Sequence, residues 1–237
     1  MKKIKIPVLE ISNLFAADRR CSIEHFNIHI PYGDSLAVLC DKDEETELLF
    51  EVLSGKIKPK KGKVFFKGND VTGERNSFGV VFREPKLSKI KTVTEYAAVP
   101  IVKRGLSGKM SDVLVRKELC AMNLEDYADR KISSLPQNIA IRTELFAAYM
   151  CSHELIAIDE PFASLDSEER DAEIQRLIQL KKNIGISLLV FTDNVDIAVQ
   201  LADVVAVVGE KFEFTGMIGV DSNKIDRTIK KIEELMQ

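Results

Sequence analysis

The sequence predicts an α/β protein with a mainly parallel sheet core, an N-terminal antiparallel β-subdomain and a helical subdomain, and three observations predict it. Short apolar runs of strand length alternate with amphipathic stretches of helix length, the pattern of βα units on a parallel sheet. One such run, Leu155-Ile156-Ala157-Ile158, stops abruptly at Asp159-Glu160-Pro161. A buried parallel strand that ends this way delivers acids to the carboxyl edge of its sheet, where ligands bind. At the N-terminus, by contrast, two alternating segments flank a polar turn and read as an antiparallel pair.

Taken in order, Ile4 to Ile11 and Ser22 to Ile30 are the two antiparallel strands, joined around Asp18-Arg19-Arg20. His25 and His29 fall on one face of the second strand. Four residues of strand separate them by roughly 13 Å, too far to share a metal ion, and they read as surface histidines. Ser35 to Cys40 is a buried strand, and Leu48, Leu49, Val52 and Leu53 space a helix from Glu44 to Leu53 that Gly55 ends. Strand, tight turn and helix form the context of a phosphate-binding loop. Gly62 to Gly68 and Phe78 to Phe82 are further strands.

From Thr92 to about Tyr127 the pattern is helical, broken at Gly105 to Gly108 and at Asn123, and Asn138 to Met150 is another amphipathic helix. These segments make a helical insertion spanning about residues 84–150 of a single domain, 1–237. Ser167 to Lys182 has an acidic start and a basic end, as a helix dipole prefers. Ser187 to Phe191 and Val204 to Val208 are buried strands around a helix at Val195 to Leu201. Lys211 to Thr215 reads as an edge strand and Asp221 to Met236 as a terminal charged helix.

The 237 residues, 45% of them hydrophobic, suffice for a substantial core. A net charge of −3 lacks the basic excess that nucleic-acid binding requires, which excludes nucleic acid as a partner. Cys21, Cys40, Cys120 and Cys151 have no metal-ligand spacing and point to a reduced cytoplasmic compartment. No apolar run reaches the length of a membrane span, and Met1-Lys2-Lys3 leads into strand-like alternation. Direct membrane insertion is therefore not expected, and any membrane association comes through a partner.

Asp159-Glu160-Pro161 continues into Phe162-Ala163-Ser164-Leu165-Asp166, and this stretch resembles the Walker B motif and D-loop of ATP-binding-cassette (ABC) ATPases. Phe78-Gly79-Val80-Val81-Phe82-Arg83-Glu84-Pro85 is similar to the family's strand and Q-loop, and Leu201-Ala202-Asp203 also matches. The resemblance implies the complete ABC nucleotide-binding fold. It also implies ATP and Mg²⁺ as cofactors, with Asp159 holding the metal and Glu160 orienting or deprotonating the attacking water.

Elsewhere the family's nucleotide-binding residues are replaced. The glycine-rich phosphate loop reads Cys40-Asp41-Lys42-Asp43-Glu44-Glu45-Thr46-Glu47, with Thr46 at the lysine position and Glu47 at the serine position. Such a loop works because glycines let backbone N–H groups wrap the phosphates while a lysine offsets their charge. Five acids opposing a triphosphate do the reverse. A calcium loop is no better a reading, since no glycine stands at the sharp turn and Val52 occupies the closing position. The signature that a partner subunit would meet reads Leu135-Pro136-Gln137-Asn138-Ile139, with a proline that has no N–H to offer. Arg83 stands at the Q-loop glutamine, Asp193 at the switch histidine, and Phe15 is the nearest aromatic for adenine.

These replacements predict a degenerate ABC subunit, a pseudo-ATPase and cytoplasmic pseudoenzyme of transport. Its partner would be a membrane-spanning transporter subunit or a second ABC ATPase subunit. Two other readings stand beside it: an active ATPase with an unorthodox phosphate site, and a soluble regulatory or scaffold protein outside transport. The acidic loop is further expected to cap its own helix through Asp41 or Asp43, with Glu44, Glu45 and Glu47 in the favourable first turn.

Overall fold

The computed structural model describes residues 6–84, 87–88, 90–160, 162–209 and 212–236. Strands β1 (Pro7–Ala17) and β2 (Ser22–Pro31) form the N-terminal hairpin. β1 was expected to end at Ile11. It continues because Asn13 takes a positive φ of 47° and donates its N–H to Asn27 Oδ1, so the ladder passes over an irregularity instead of stopping. The exposed His25 and His29 belong to this hairpin, and the His25 ring hydrogen-bonds Asn13 Oδ1.

β3 (Leu36–Leu39) leads into helix α1 (Asp43–Leu53). β4 (Lys61–Phe66) turns back into β5 (Asn69–Asp70), a two-residue strand too short to leave a periodic signal. β6 (Gly79–Val81) precedes the helices α2 (Val93–Ala97), α3 (Val99–Lys103), α4 (Gly108–Glu118) and α5 (Gln137–Cys151). Then follow β7 (Leu155–Asp159), α6 (Ser167–Ile184), β8 (Ser187–Thr192), α7 (Val195–Leu201) and β9 (Val204–Val208). The chain closes with β10 (Phe214–Gly219) and α8 (Ile225–Leu235).

Two of these boundaries correct the sequence reading. The edge strand predicted at Lys211 to Thr215 is β10, displaced toward the C-terminus. Its own Gly216 and Gly219 pair with Val207 and Val204 of β9, so they punctuate the apolar pattern without ending the strand. Lys211 itself lies outside the described residues. The terminal helix begins at Ile225, because Asp221 is spent on a turn where its Oδ1 accepts from the Asn223 N–H.

The strands form two sheets. β2-β1-β4-β5 is antiparallel, and β10-β9-β3-β8-β7-β6 is parallel but for β10. Side chains of the parallel strands alternate between two cores. Ile156, Ile158, Leu188 and Val190 pack with α5, α6 and α7, while Leu155, Ala157, Leu189 and Phe191 pack with α1 and the antiparallel sheet. β6 meets α5 without a spacer, since a Cβ on Gly79 would stand 2.5 Å from the Ala148 carbonyl oxygen. The carboxyl ends of β3, β6, β7 and β8 are thereby brought to one edge. None of the described helices is long and apolar enough to cross a membrane.

Candidate functional site

Asp159 is the last residue of β7 and only 4% exposed, so its carboxylate arrives at the sheet edge through a strand with no polar group of its own. Glu160 follows at a positive φ of 44°, a conformation that costs a non-glycine residue energy and persists only when its surroundings hold it. They do. Its N–H donates to the Phe191 carbonyl, its Oε1 accepts from the Asp193 N–H at 2.6 Å, and its Oε2 accepts from the Thr192 hydroxyl at 3.3 Å. Both carboxylate oxygens thus secure the turn after β8, where Asp193 stands. Asn194 in turn caps α7 by accepting from the Ile197 N–H.

The Arg83 guanidinium lies against these acids. Nη1 is 2.6 Å from Asp43 Oδ1, Nε is 3.8 Å from Asp159 Oδ1, and Nη2 is 4.0 Å from Glu160 Oε1. Three segments distant in sequence, the start of α1, the exit of β6 and the end of β7, therefore converge on one cation. Burial pushes the Asp159 carboxyl up to about 6, opposed by the Arg83 charge and reinforced by the like charge of Glu160. Burial raises Glu160 too, against the hydrogen bond it receives from Asp193.

The loop before α1 differs from the expected self-capping arrangement. The N-cap is Lys42, and no side chain caps the helix. Asp43 is occupied by Arg83, while Asp41 is turned to the surface within 3.6 Å of Lys42 Nζ. The first-turn acids Asp43, Glu44 and Glu45 remain well placed for the helix dipole. Thr46 is 3% exposed, and its hydroxyl faces the buried Cys40 sulfur at 3.7 Å. Cys40 Sγ also accepts from the Lys42 N–H, and burial raises its thiol pKa. Glu47 reaches away to Arg20 at 2.5 Å, joining α1 to the β1–β2 hairpin.

The remaining predicted positions are dispersed. Asp166 caps α6, its Oδ1 accepting from the Glu169 N–H, with Leu165 buried and Ser164 exposed before it. Pro161 lies outside the described residues, as does Pro85 of the Q-loop stretch. Pro136 is the N-cap of α5 without a side-chain cap, Asn138 Oδ1 accepts from the Ile139 N–H, and Ile139 is buried. Gln137 is exposed and Leu135 half-buried. Among the described residues no hydrogen bond or ion pair joins this turn to the acidic centre.

Sequence reasoning did not single out the groove beside the centre. It has a volume of about 290 Å³, a floor including Phe78, Val80, Phe82 and Pro100, and Lys56, Arg75 and Lys103 among its lining residues. Lys56 Nζ stands 3.9 Å over the Phe82 ring. Its cations, Lys56, Arg75 and Lys103, come from separate stretches of the sequence, so no linear signal marked the groove.

The ABC transporter family model matches residues 48–163, beginning immediately after the acidic loop and running through the β7 acids. A putative ABC transporter ATP-binding protein of Methanosarcina acetivorans is 28% identical over 84% of this chain, which spans 64% of that longer relative. The taurine import ATP-binding protein TauB of Pseudomonas aeruginosa is 27% identical over 93% of this chain and 84% of its own length. An ATP-binding cassette of an ABC transporter, solved in its ADP conformation, superposes with a TM-score of 0.78. It is 20% identical, with 97% of this chain and 98% of that one covered.

Proposed function

Because this chain belongs to the ABC ATPase family, whose members bind ATP and Mg²⁺ and whose ATP-binding subunits partner with the membrane components of transporters, we propose that it is a cassette subunit that docks without hydrolysing ATP. Its place is cytoplasmic and peripheral to the membrane, through a transporter's membrane component or a second, intact ATPase subunit. The helical unit at about 84–150 and the groove beside Phe82 are the docking elements in this reading.

The observation that carries it is Thr46, buried and turned to Cys40 where the family's phosphate-binding lysine would stand. Nothing in the loop then offsets a triphosphate, since Lys42 is engaged with Asp41 and the acids outnumber it. In this reading the residues do not fit a Mg²⁺–triphosphate group. Asp159 Oδ1 faces Arg83 Nε, and Glu160, the expected base, spends both oxygens on the turn at 192–194. Pro136 likewise lacks the donor with which a signature turn would close a partner's site, and Gln137 and Ile139 set bulkier side chains beside it.

Calorimetry with MgATP tests the proposal. The full-length protein is expected to give no binding heat at micromolar nucleotide and no rise in Tm, whereas a ligand at a hundred times its Kd stabilises by about 2.7 kcal/mol. Micromolar binding that Asp159→Asn abolishes would overturn this reading and favour the active-ATPase alternative. A protein that captures neither membrane component nor ATPase subunit would point to the scaffold alternative.

A further inference from the structure

We propose that Arg83 is the protein's own counter-cation for the acidic centre, taking the charge-offsetting place of a metal ion and closing the centre to an external one. The side chains of Asp159 and Glu160 are 6% and 8% exposed, and carboxylates so desolvated require an opposite charge at close range. Among the described residues Arg83 alone puts a cationic nitrogen within 4.0 Å of either one.

The geometry is that of a shared ion and not of a simple pair. One guanidinium nitrogen forms a 2.6 Å ion pair with Asp43, and the other two lie near two different carboxylates. Arg83 Nε and Asp159 Oδ1 are both buried and both without a hydrogen-bond partner. They are 3.8 Å apart, less than the roughly 4.5 Å that two hydrogen bonds to an intervening water would span. Each therefore faces the other directly, and the attraction between them is coulombic. Lysine, with a compact ammonium on a flexible stem, could not reach three carboxylates in three directions as the planar fork does.

This inference goes beyond the proposed function because unfolding, not nucleotide binding, reads it. Micromolar ATP binding by the wild type would overturn the docking reading while leaving the charge coupling below to be measured in its own right. Four full-length proteins are compared by thermal unfolding: wild type, Arg83→Gln, Asp159→Asn and the double variant. Arg83→Gln is expected to lower Tm by several degrees, and Asp159→Asn to restore most of that loss in the double variant. Millimolar Mg²⁺ is expected to raise the Tm of Arg83→Gln and leave the wild type unmoved. Additive effects of the two substitutions overturn the proposal, as does a Mg²⁺ response that is equal, or equally absent, in wild type and Arg83→Gln. If Arg83→Gln does not fold, the double variant Arg83→Gln, Asp159→Asn is expected to fold, and its failure to do so overturns the proposal.

Discussion

Glu144 is a half-buried acid that the acidic centre does not use. It lines the groove and accepts a 2.5 Å hydrogen bond from the Tyr96 hydroxyl, and burial raises its pKa despite that bond. An acid whose pKa is higher folded than unfolded adds stability that is fully present below its unfolded pKa, near 4.5, and lost as pH rises through its folded one. Glu144→Gln is therefore expected to raise Tm by a few degrees at neutral pH, with the gain shrinking to nothing below about 4.5. A gain of equal size at all pH values would mean that charge is not its cause. At this scale the sequence identified the acids Asp159, Glu160 and Asp166, because a strand end and a helix start each leave a local mark. The partners of those acids were not legible. Arg83 meets Asp159 across two strands, and the capping role expected of Asp43 was lost to that same arginine.

Between elements, α5 and α6 are joined by a buried ion pair in which Arg142 Nε donates to Glu173 Oε2 at 3.1 Å and Nη2 to Oε1. Both residues are 5% exposed or less, and Arg176 adds a second donor to Glu173 at 3.0 Å. Removing one member leaves a buried charge undercompensated, so Arg142→Met should cost about 3 kcal/mol, the low end for such a pair because Arg176 remains. The double variant Arg142→Met, Glu173→Met should cost less than the single one, as equilibrium denaturation with unchanged m-value can establish. A double variant less stable than the single one would assign the contact to packing instead. Elements were largely readable from periodicity, since α1, α5, β7, β8, α7 and β9 fall within a residue or two of their predicted bounds. Of the misread boundaries, the early end of β1 and the displaced β10 lie at Asn13 and Gly216, where the strand continues through a residue that ordinarily interrupts one, and the late start of α8 follows the turn at Asp221.

On the scale of the whole molecule, the groove couples an apolar floor to exposed cations, a surface that suits a partner segment carrying acids beside apolar side chains. Charge reversal of Lys56 and Lys103 together should reduce co-purification of a membrane component or ATPase subunit severalfold from detergent extracts, as measured by mass spectrometry. Tm should hold, since both residues are exposed. Undiminished capture would move the docking surface elsewhere on the chain.

The sequence by itself determined the α/β class, the order of its strands and helices, the family resemblance and the acidic, glycine-free composition of the loop at 40–47. All of these are written in local residue identity and spacing, which a linear reading preserves. Only the tertiary structure decided how the side chains at the sheet edge are paired. Thr46 turned to Cys40 because its helix buries that face, and Glu160 was recruited to hold the turn after β8. Arg83 was drawn to three carboxylates from three separate segments. Charge compensation in a desolvated centre depends on distances across the sheet edge, and those distances exist only once β6, β7 and β8 are side by side.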